Sequence, residues 1–387
     1  MIECPEADMW IYRLMLGLML GLIIGCMFFV PAAVMAMTVT FLNPGRSDEV
    51  YWVTANNCMM AAAHNLGMQL EIIYVERDHL KTLELAKKIA ARPVSARPDY
   101  VILSNDYAVG AEAMRILDAA HIKTFFAYSG FSDAGERDKV GLPRQIYKGW
   151  LGGLEPRAGD AGYLTARALI QRGMAEKLMG ADGKLHMLAI AGDRSTTTSY
   201  KRNEGMRRAV AEAKNVVIDQ VIYADWNRAK AQEQSTWLYQ RYPDTRLVWA
   251  GNDLMAFGAM ESWRARGGKP GRDAYFSGIN TSSEAFTALE SGSLSSLAGG
   301  HFITGAFSLV MLYDYHHGKD FADEGLELER SMFILFTPHE ARRFQYLFGA
   351  QNYERLDFRR FSKVLNPAAK KYDFSFRQLL NQADLRR

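Results

Sequence analysis

Aromatic, hydroxyl, amide and guanidinium side chains recur in the short stretches that follow the strand-like runs of this chain. Rings can stack on a small molecule, while amides, hydroxyls and guanidinium groups hydrogen-bond to its polar atoms. The chemistry that these stretches support is therefore the binding of a small polar ligand. They are NPGRSDEVYW (43–52), Tyr128-Ser129, GDRSTTTSYKR (192–202), ADWNR (224–228), GNDLM (251–255), GINTSSE (278–284) and Gly300-His301.

Catalytic and nucleotide-binding motifs are scarce in comparison. No G-x-S-x-G elbow occurs, and His301 has no carboxylate partner at a recognisable spacing, although a Ser/His/Asp triad stays open. The first strand–helix turn contains a single glycine, Gly45, so it matches neither G-x-G-x-x-G nor G-x-x-x-x-G-K-S/T. His316 and His317 lie at a predicted helix end, where positive charge is favourable without a metal. We therefore expect no catalytic residue, no metal and no cofactor, and we predict that the protein is not an enzyme.

An alternation of strands and helices must position these stretches. Short β-branched or aromatic runs alternate with longer amphipathic stretches, which predicts βαβ crossovers and a parallel sheet covered on both faces. The carboxyl ends of parallel strands lie at one edge, so the polar stretches should meet there. The first four predicted strands span 38–43, 71–75, 100–104 and 124–128, and the helices between them span 50–66, 80–91 and 109–119.

After YKGWLGG (147–153) the same rhythm restarts and forms a second α/β unit. A helix at 303–317 and a strand at 329–336 are surplus to the second sheet, so we expect them to complete the first. The predicted strands of the second unit span 185–192, 216–223, 246–251, 274–279 and 294–299, with helices at 158–172, 199–213, 229–241, 254–266 and 283–290.

The predicted division of the chain follows from this rhythm. Residues 1–36 form an export signal, and residues 37–150 with 301–336 form an N-terminal lobe. Residues 151–300 form a C-terminal lobe, and residues 337–387 form a C-terminal extension.

The N-terminal segment predicts export. After Arg13 an uncharged apolar run ends in Val34-Met35-Ala36, a small-residue pattern that a signal peptidase can cut after Ala36. A retained membrane anchor stays open, because the run is long enough to span a bilayer. A lipoprotein acylated at Cys26 is a third option. Cleavage is the preferred reading, which places the mature protein in the periplasm.

The composition argues against a nucleic-acid partner and against stabilisation by disulfides. Lys and Arg number 46 against 43 Asp and Glu, and no basic run of the kind that binds nucleic acid occurs. Of the three cysteines only Cys58 lies beyond the cleavage point, so the mature chain can form no internal disulfide.

Four stretches in the second unit, taken together in this order, resemble one protein family. The chain resembles periplasmic binding proteins of the sugar-binding class I type, such as ribose-binding and autoinducer-2-binding proteins, which share their fold with LacI-type regulators. The resemblance covers residues 37–336 and implies an α/β fold of two Rossmann-like lobes, whose parallel sheets are joined by a three-strand hinge. The stretches are YKRNEGMRRAV (200–210), ADWNRAKA (224–231), VWAGNDLMAFGAM (248–260) and FSGINTSSEAF (276–286).

The resemblance also implies binding roles for individual residues. Glu49, Tyr51 and Trp52 occupy positions at the start of the first helix, where the two rings would form one wall of a pocket. Arg202 matches the ligand-binding arginine of the family, and Trp226 matches an aromatic residue on the opposite wall.

At other positions the resemblance is partial. Asn252 matches an amide at a strand end that contacts ligand, with Asp253 as the helix cap or a buried neighbour. The chain has Tyr128-Ser129 where the ribose binder has an Asp-Arg pair, and Asn280 where it has another Asp. Carboxylates are the strongest acceptors for sugar hydroxyls, so ribose is disfavoured as the ligand. His301 lies at a crossover, where a hinge role and a ligand role compete.

The function that this resemblance implies is that of an exported, monomeric solute-binding protein. Its partners would be a small polar, sugar-like ligand and the membrane permease of an ABC importer. An alternative is a periplasmic receptor that reports the ligand to a membrane sensor kinase or cyclase. An exported enzyme is the remaining alternative. A transcriptional regulator is disfavoured, because an export signal stands where a helix-turn-helix would be needed.

The C-terminal extension is rich in aromatic and basic residues. Between Tyr353 and Leu365, apolar residues recur at nearly helical spacing and predict an apolar stripe. Two readings stay open, namely a helix that packs back on the first lobe and a docking surface for a membrane partner.

Overall fold

The computed structural model describes residues 36–384. The predicted export signal, and with it the anchor and lipoprotein alternatives, falls on residues that lie outside this range except for Ala36. From Met37 onward the chain forms one compact unit. Its strands are β1 (Thr38–Asn43), β2 (Gln69–Tyr74), β3 (Tyr100–Leu103), β4 (Lys123–Ala127), β5 (Trp150–Pro156), β6 (Leu185–Ala191), β7 (Val216–Tyr223), β8 (Leu247–Ala250), β9 (Tyr275–Ile279), β10 (Ser296–Gly299), β11 (Glu327–Arg330) and β12 (Ile334–Leu335).

The strands form two six-stranded sheets, which we call the first and the second sheet. The first has the order β11-β5-β4-β3-β1-β2, and the second has the order β12-β10-β9-β8-β6-β7. Every pair is parallel except β10 with β12, which is antiparallel. The predicted α/β fold with two lobes and parallel sheets is confirmed. The short apolar run LVWA of β8 is fully buried, as expected for a parallel strand covered on both faces.

Helices cover the sheets, and their ends follow local sequence signals. The stretch TPHE (337–340) forms a capping box, in which the side chain of Thr337 accepts from the N–H of Glu340 and Glu340 accepts from that of Thr337. None of the helices in residues 36–384 combines the length and apolar composition that a bilayer crossing requires. The helices are α1 (Val50–Leu66), α2 (His79–Ala90), α3 (Gly110–Ala119), α4 (Ala134–Val140), α5 (Ala158–Ala175), α6 (Thr197–Glu212), α7 (Arg228–Arg241), α8 (Asp253–Ala265), α9 (Ser283–Glu290), α10 (Thr304–His316), α11 (Pro338–Phe348) and α12 (Phe376–Asp384).

The chain passes between the two sheets three times: after β5, after β10, and between β11 and β12. At the second crossing Gly300 has a φ of 121°, a left-handed conformation that favours glycine. An added Cβ there would lie 2.5 Å from the carbonyl oxygen of Met332 on the third crossing. Glycine at this position therefore allows two crossings to lie side by side.

Strand pairing differs from the sequence-based expectation at two places. Strand β5 belongs to the first sheet, although the second lobe was predicted to begin at residue 151. The predicted single strand 329–336 is two short strands, of which β11 pairs with β5 in the first sheet and β12 with β10 in the second. The physical reason is that this segment is a crossing, so its two ends reach the edges of different sheets.

The C-terminal extension packs on elements of both lobes. Helix α11 contacts α9 of the second lobe, whereas the 3-10 turn Phe358–Phe361 contacts α1 and α10 beside the first sheet. The predicted helical stripe of residues 353–365 is wrong in its secondary structure, because only this short turn is helical. Side chains distant in sequence accept from two backbone N–H groups of the segment: Gln382 Oε1 accepts from the N–H of Asp357, and Asn65 Oδ1 accepts from that of Phe358.

Candidate functional site

The strand order of each sheet places a crevice between the lobes. In the first sheet β1 lies between β3 and β2, and in the second sheet β6 lies between β8 and β7. Where the strand order reverses, the segments that follow two neighbouring strands run in opposite directions and leave a crevice. Ligands of open α/β sheets bind in this crevice, at the carboxyl ends of the strands. The stretches that follow these strands face a common cavity.

This cavity has a volume of about 50 Å³. Nine of the ten predicted site residues line it, and Ser129 does not. Five lining residues were not among those predicted. The predicted members are Glu49, Tyr51, Trp52, Tyr128, Arg202, Trp226, Asn252, Asn280 and His301, and the additional members are Arg77, Asp106, Pro156, Thr196 and Thr198.

A column of three rings forms one wall of the cavity. The imidazole of His301 stacks on the ring of Tyr51 at 4.6 Å between centroids and on that of Phe333 at 4.5 Å. Trp52 meets Tyr51 edge-on at 4.9 Å. Because Tyr51 lies on α1, Phe333 on the third crossing and His301 on the second, the column joins a lobe to its hinge.

Trp226 lies in the stretch that follows β7 of the second lobe. Its indole N–H donates to Asp193 Oδ2 at 2.6 Å. Both Trp226 and Asp225 have positive φ angles, 60° and 48°, which are uncommon for residues with a Cβ and costly. Gly192 makes room for the indole, because an added Cβ at that position would lie 2.2 Å from the ring. The ring is thus held in one orientation by its surroundings.

Arg202 is buried, with 4% of its surface exposed. It donates from Nη1 to the carbonyl oxygen of Gly251 at 2.7 Å and from Nη2 to His301 Nε2 at 2.9 Å. Burial lowers the pKa of Arg202 to about 10. Burial and the neighbouring guanidinium lower the pKa of His301 well below its usual value. The imidazole is therefore neutral, with its proton on Nδ1.

Arg77 and Asp106 form a charged group that the sequence analysis did not include. Arg77 forms an ion pair with Glu49, with 2.5 Å between Nη2 and Oε1, and lies 3.6 Å from Asp106 Oδ2. Burial raises the pKa of Asp106 to about 6, although Arg77 and the hydroxyl of Ser104 oppose that shift. An Asp-Arg pair thus lines the cavity, although Tyr128-Ser129 stands where the ribose binder has such a pair.

The sequence contains a signal that could have predicted Arg77 and Asp106 as lining residues. Arg77 lies in ERDH (76–79) after the second predicted strand, and Asp106 in NDY (105–107) after the third. Both stretches follow the carboxyl ends of parallel strands, where ligand contacts are expected. Of the other additional residues, Thr196 and Thr198 lie within the predicted binding stretch 192–202, and Pro156 is the last residue of β5.

Asn252 combines a capping role with its place in the cavity. Its Oδ1 accepts from the N–H of Met255 at 2.8 Å, so Asn252, rather than Asp253, is the N-cap of α8. Asp253 accepts from Asn280 Nδ2 at 2.8 Å and from the hydroxyl of Ser282 at 2.6 Å. The buried carboxylate thereby orients Asn280, whose φ of 140° is unusual for a residue other than glycine.

The pair Tyr128-Ser129 divides between two environments. The ring of Tyr128 lines the cavity, while its hydroxyl donates to the carbonyl oxygen of Phe302 at 3.2 Å. The side chain of Ser129 is fully buried away from the cavity, and its hydroxyl has no hydrogen-bond partner within residues 36–384. Tyr128 can therefore offer ring surface to a ligand.

Hydrogen bonds connect the lobes around the cavity. The hydroxyl of Thr197 on α6 donates to the carbonyl oxygen of Gly130 at 3.1 Å and lies 2.9 Å from that of Ser132. The neighbouring Thr198 donates to the carbonyl oxygen of Tyr128 at 3.4 Å. These are direct bonds from the second lobe to the loop after β4 of the first lobe.

An ion-pair group lies beside the crossings. Lys201 Nζ of the second lobe lies 3.2 Å from Glu155 on β5 and 2.8 Å from Glu329 on β11. Burial raises the pKa of Glu155, and Lys201 opposes that shift. These contacts are electrostatic links across the hinge. No cluster of three or more His, Cys, Asp or Glu side chains suited to a metal occurs within the described range.

Residues 39–320 match the model of the periplasmic binding protein domain. The chain belongs to the periplasmic binding protein family. A solved structure of a periplasmic sugar-binding protein from Pseudomonas fluorescens is 36% identical and superimposes with a TM-score of 0.78. That match covers 89% of this chain and 99% of the other.

Two other proteins are similar to this chain at a greater distance. The D-allose-binding periplasmic protein of Escherichia coli strain K12 is 30% identical over 94 residues, which are 24% of this chain and 30% of that relative. An ABC transporter solute-binding protein from Actinobacillus succinogenes 130z, solved with D-allose, is 16% identical with a TM-score of 0.65. That match covers 79% of this chain and 99% of the other, and it shows the shared fold alone.

Proposed function

We propose that this family member is an exported solute-binding protein that captures a small polar, sugar-like ligand between its lobes and presents it to an ABC importer. The observation that carries the proposal is the cavity at the carboxyl ends of both sheets, where aromatic walls meet polar groups. Its position across three crossings lets the lobes close around a ligand.

The chemistry of the lining favours a sugar-like molecule. Tyr51, Trp52 and Trp226 offer flat faces for the C–H surface of a ring, while Asn252 and Asn280 offer amide groups for hydroxyls. Small-molecule sites of this kind combine apolar walls with a few placed polar groups. Relatives described as sugar-binding and allose-binding proteins support the same ligand class.

The importer is proposed from the relatives. A family member from Actinobacillus succinogenes is described as a component of an ABC transporter. Closure of the lobes fixes their relative orientation, and a permease can recognise the surface that the two lobes then form together. We expect a deletion strain to lose uptake of the ligand and a plasmid copy to restore it. Normal uptake in the deletion strain would contradict the importer role.

The binding proposal is tested with purified protein by thermal unfolding in the presence of sugars, polyols, cyclic diols and nucleosides. Ligand at a hundredfold excess over Kd stabilises the folded state by about 2.7 kcal/mol, so one class should raise Tm. Light scattering should show a monomer, and the ligand should be recovered unchanged after incubation. Absence of any shift across the whole panel would argue against binding, and a converted ligand would indicate an enzyme.

A further inference from the structure

The guanidinium of Arg202 is buried and forms no ion pair within residues 36–384. A guanidinium has five N–H donors, and within residues 36–384 only two bonds are formed, to the carbonyl oxygen of Gly251 and to His301. Its Nε–H is buried and has no partner in that range. No carboxylate of the described residues forms an ion pair with it. The buried guanidinium therefore has N–H groups that remain available to a ligand.

The nearby carboxylates are engaged by other groups. Asp253 accepts from Asn280 and Ser282, so its oxygens are directed to those side chains. Glu49 and Asp106, which also line the cavity, are drawn to Arg77 at 2.5 and 3.6 Å. The two carboxylates that line the cavity therefore pair with Arg77 and not with Arg202.

Neutral side chains surround Arg202. Trp226 and Phe333 present their rings to its Cζ at 5.5 and 5.8 Å, which compensates a cation only in part. His301 accepts one guanidinium N–H at Nε2, so its proton is on Nδ1, which has no partner within residues 36–384. A second buried donor thus stands beside the first.

We propose that the ligand of this site carries a carboxylate, as a sugar acid does, and that Arg202 binds this group. This inference rests on the proposed function, because it names the class of ligand for the same cavity. An unpaired buried charge is costly, and a ligand carboxylate would supply both the missing charge and acceptors for the free N–H groups. Asn280 also lines the cavity, and a carboxylate at its position would repel an anionic ligand.

The experiment compares matched ligands by calorimetry on the intact purified protein. The pairs are D-galacturonate with D-galactose, and D-gluconate with D-glucitol. In each pair the carboxylate of the acid replaces one hydroxymethyl group of the neutral partner. We expect at least one acid to bind about a hundredfold more tightly than its neutral partner, since a site built for a hydrogen-bonded group rejects the analogue that lacks it. Its affinity should fall as salt is raised.

The variant Asn280→Asp reverses the preference if the inference holds. It should weaken binding of the acid by at least about tenfold and strengthen binding of the neutral partner. Arg202→Gln should weaken binding of the acid more than binding of the neutral partner. Circular dichroism and Tm of both variants check their folding, and the salt dependence of the parent gives a readout that needs no variant. Neutral ligands that bind as tightly as the acids would overturn the inference and leave the binding function standing. No binding of either class in these pairs or in the wider panel would overturn both.

Discussion

Trp226 shows how single residues outside the cavity determine its wall. The indole fits because Gly192 has no side chain, and it is oriented because Asp193 accepts its N–H. The residue and its neighbour Asp225 hold positive φ angles. Strain of this kind persists where the surrounding structure over-determines the conformation, and it clusters at ligand-binding sites.

Replacement of Trp226 by Ala should weaken ligand binding by roughly 1–3 kcal/mol, because stacking and burial of the indole are lost. Calorimetry on the parent and the variant measures this difference. Trp237→Ala is the matched control, since Trp237 is 66% exposed on α7 and does not line the cavity. Equal affinities of the parent and Trp226→Ala would remove the indole from the binding wall.

Asp106 should make folding stability depend on pH. Burial raises its pKa in the folded protein from 3.8 to about 6. Between these values the folded protein holds a proton that the unfolded chain has lost, so the free energy of unfolding falls as pH rises. The loss amounts to at most about 3 kcal/mol and is complete above pH 7.

The substitution Asp106→Asn should remove the loss of unfolding free energy that occurs as pH rises. The difference in unfolding free energy between variant and parent should therefore grow from pH 4 to pH 7 and then stay constant. Urea unfolding at a series of pH values measures it. Asp138→Asn, at an exposed position of α4, controls for the loss of a carboxylate. Parallel curves for the parent and Asp106→Asn would show that Asp106 titrates normally.

At the scale of elements, helix α6 is the part of the second lobe that contacts the loop after β4. Thr197 at its first residue donates to the carbonyl oxygen of Gly130 and accepts from Ser132. Lys201, one turn later, contacts the strands β5 and β11 of the first sheet. The first turns of α6 thus provide polar contacts between the two lobes.

Thr197→Val should weaken ligand binding more than folding, because its two lost hydrogen bonds exist only when the lobes approach. A cost of about 1–2 kcal/mol in binding follows from typical net values. Calorimetry and denaturant unfolding measure the two effects separately. The control is Thr287→Val on α9, where an exposed hydroxyl bonds only to the carbonyl oxygen of Ser283 in its own helix. If binding is unchanged, closure does not depend on this contact.

At the scale of the whole molecule, the C-terminal extension is part of the core. Phe374 stacks on Phe307 of α10 at 4.3 Å, and the hydroxyl of Tyr372 donates to the buried Asp314 at 2.9 Å. Phe376 lies against Phe336 and Phe344, at 6.1 and 5.9 Å between ring centroids. The extension therefore packs across both lobes, which favours the packing reading and extends it beyond the first lobe.

Deletion of the residues after Asn366 should destabilise the protein. Removal of one buried phenylalanine side chain typically costs about 3–5 kcal/mol, and the deletion removes several apolar side chains. Phe374→Ala alone should show a loss of that size in denaturant unfolding, whereas Leu365→Ala, at a position 42% exposed, should show little. A deleted protein that melts and binds as the parent does, but fails in uptake, would instead support docking to a membrane partner.

Sequence patterns alone predicted the order of strands and helices, the family and most of the cavity lining. These depend on local patterns, because apolar periodicity and the residues that follow each strand are readable along the chain. In open α/β folds the carboxyl ends of parallel strands meet at one edge, so nine of the ten selected residues came together.

Three features depend on long-range contacts: the sheet that each crossing strand joins, the pairing of charges in the cavity, and the packing of the extension. Strands β5 and β11 pair with each other although their sequences lie far apart, so no local pattern reports the partnership. Arg77 and Asp106 follow different strands, and their proximity depends on the strand order of the first sheet. The segment around Phe358 has nearly helical spacing. However, the backbone N–H groups of Asp357 and Phe358 donate to the side chains of Gln382 and Asn65, which are distant in sequence.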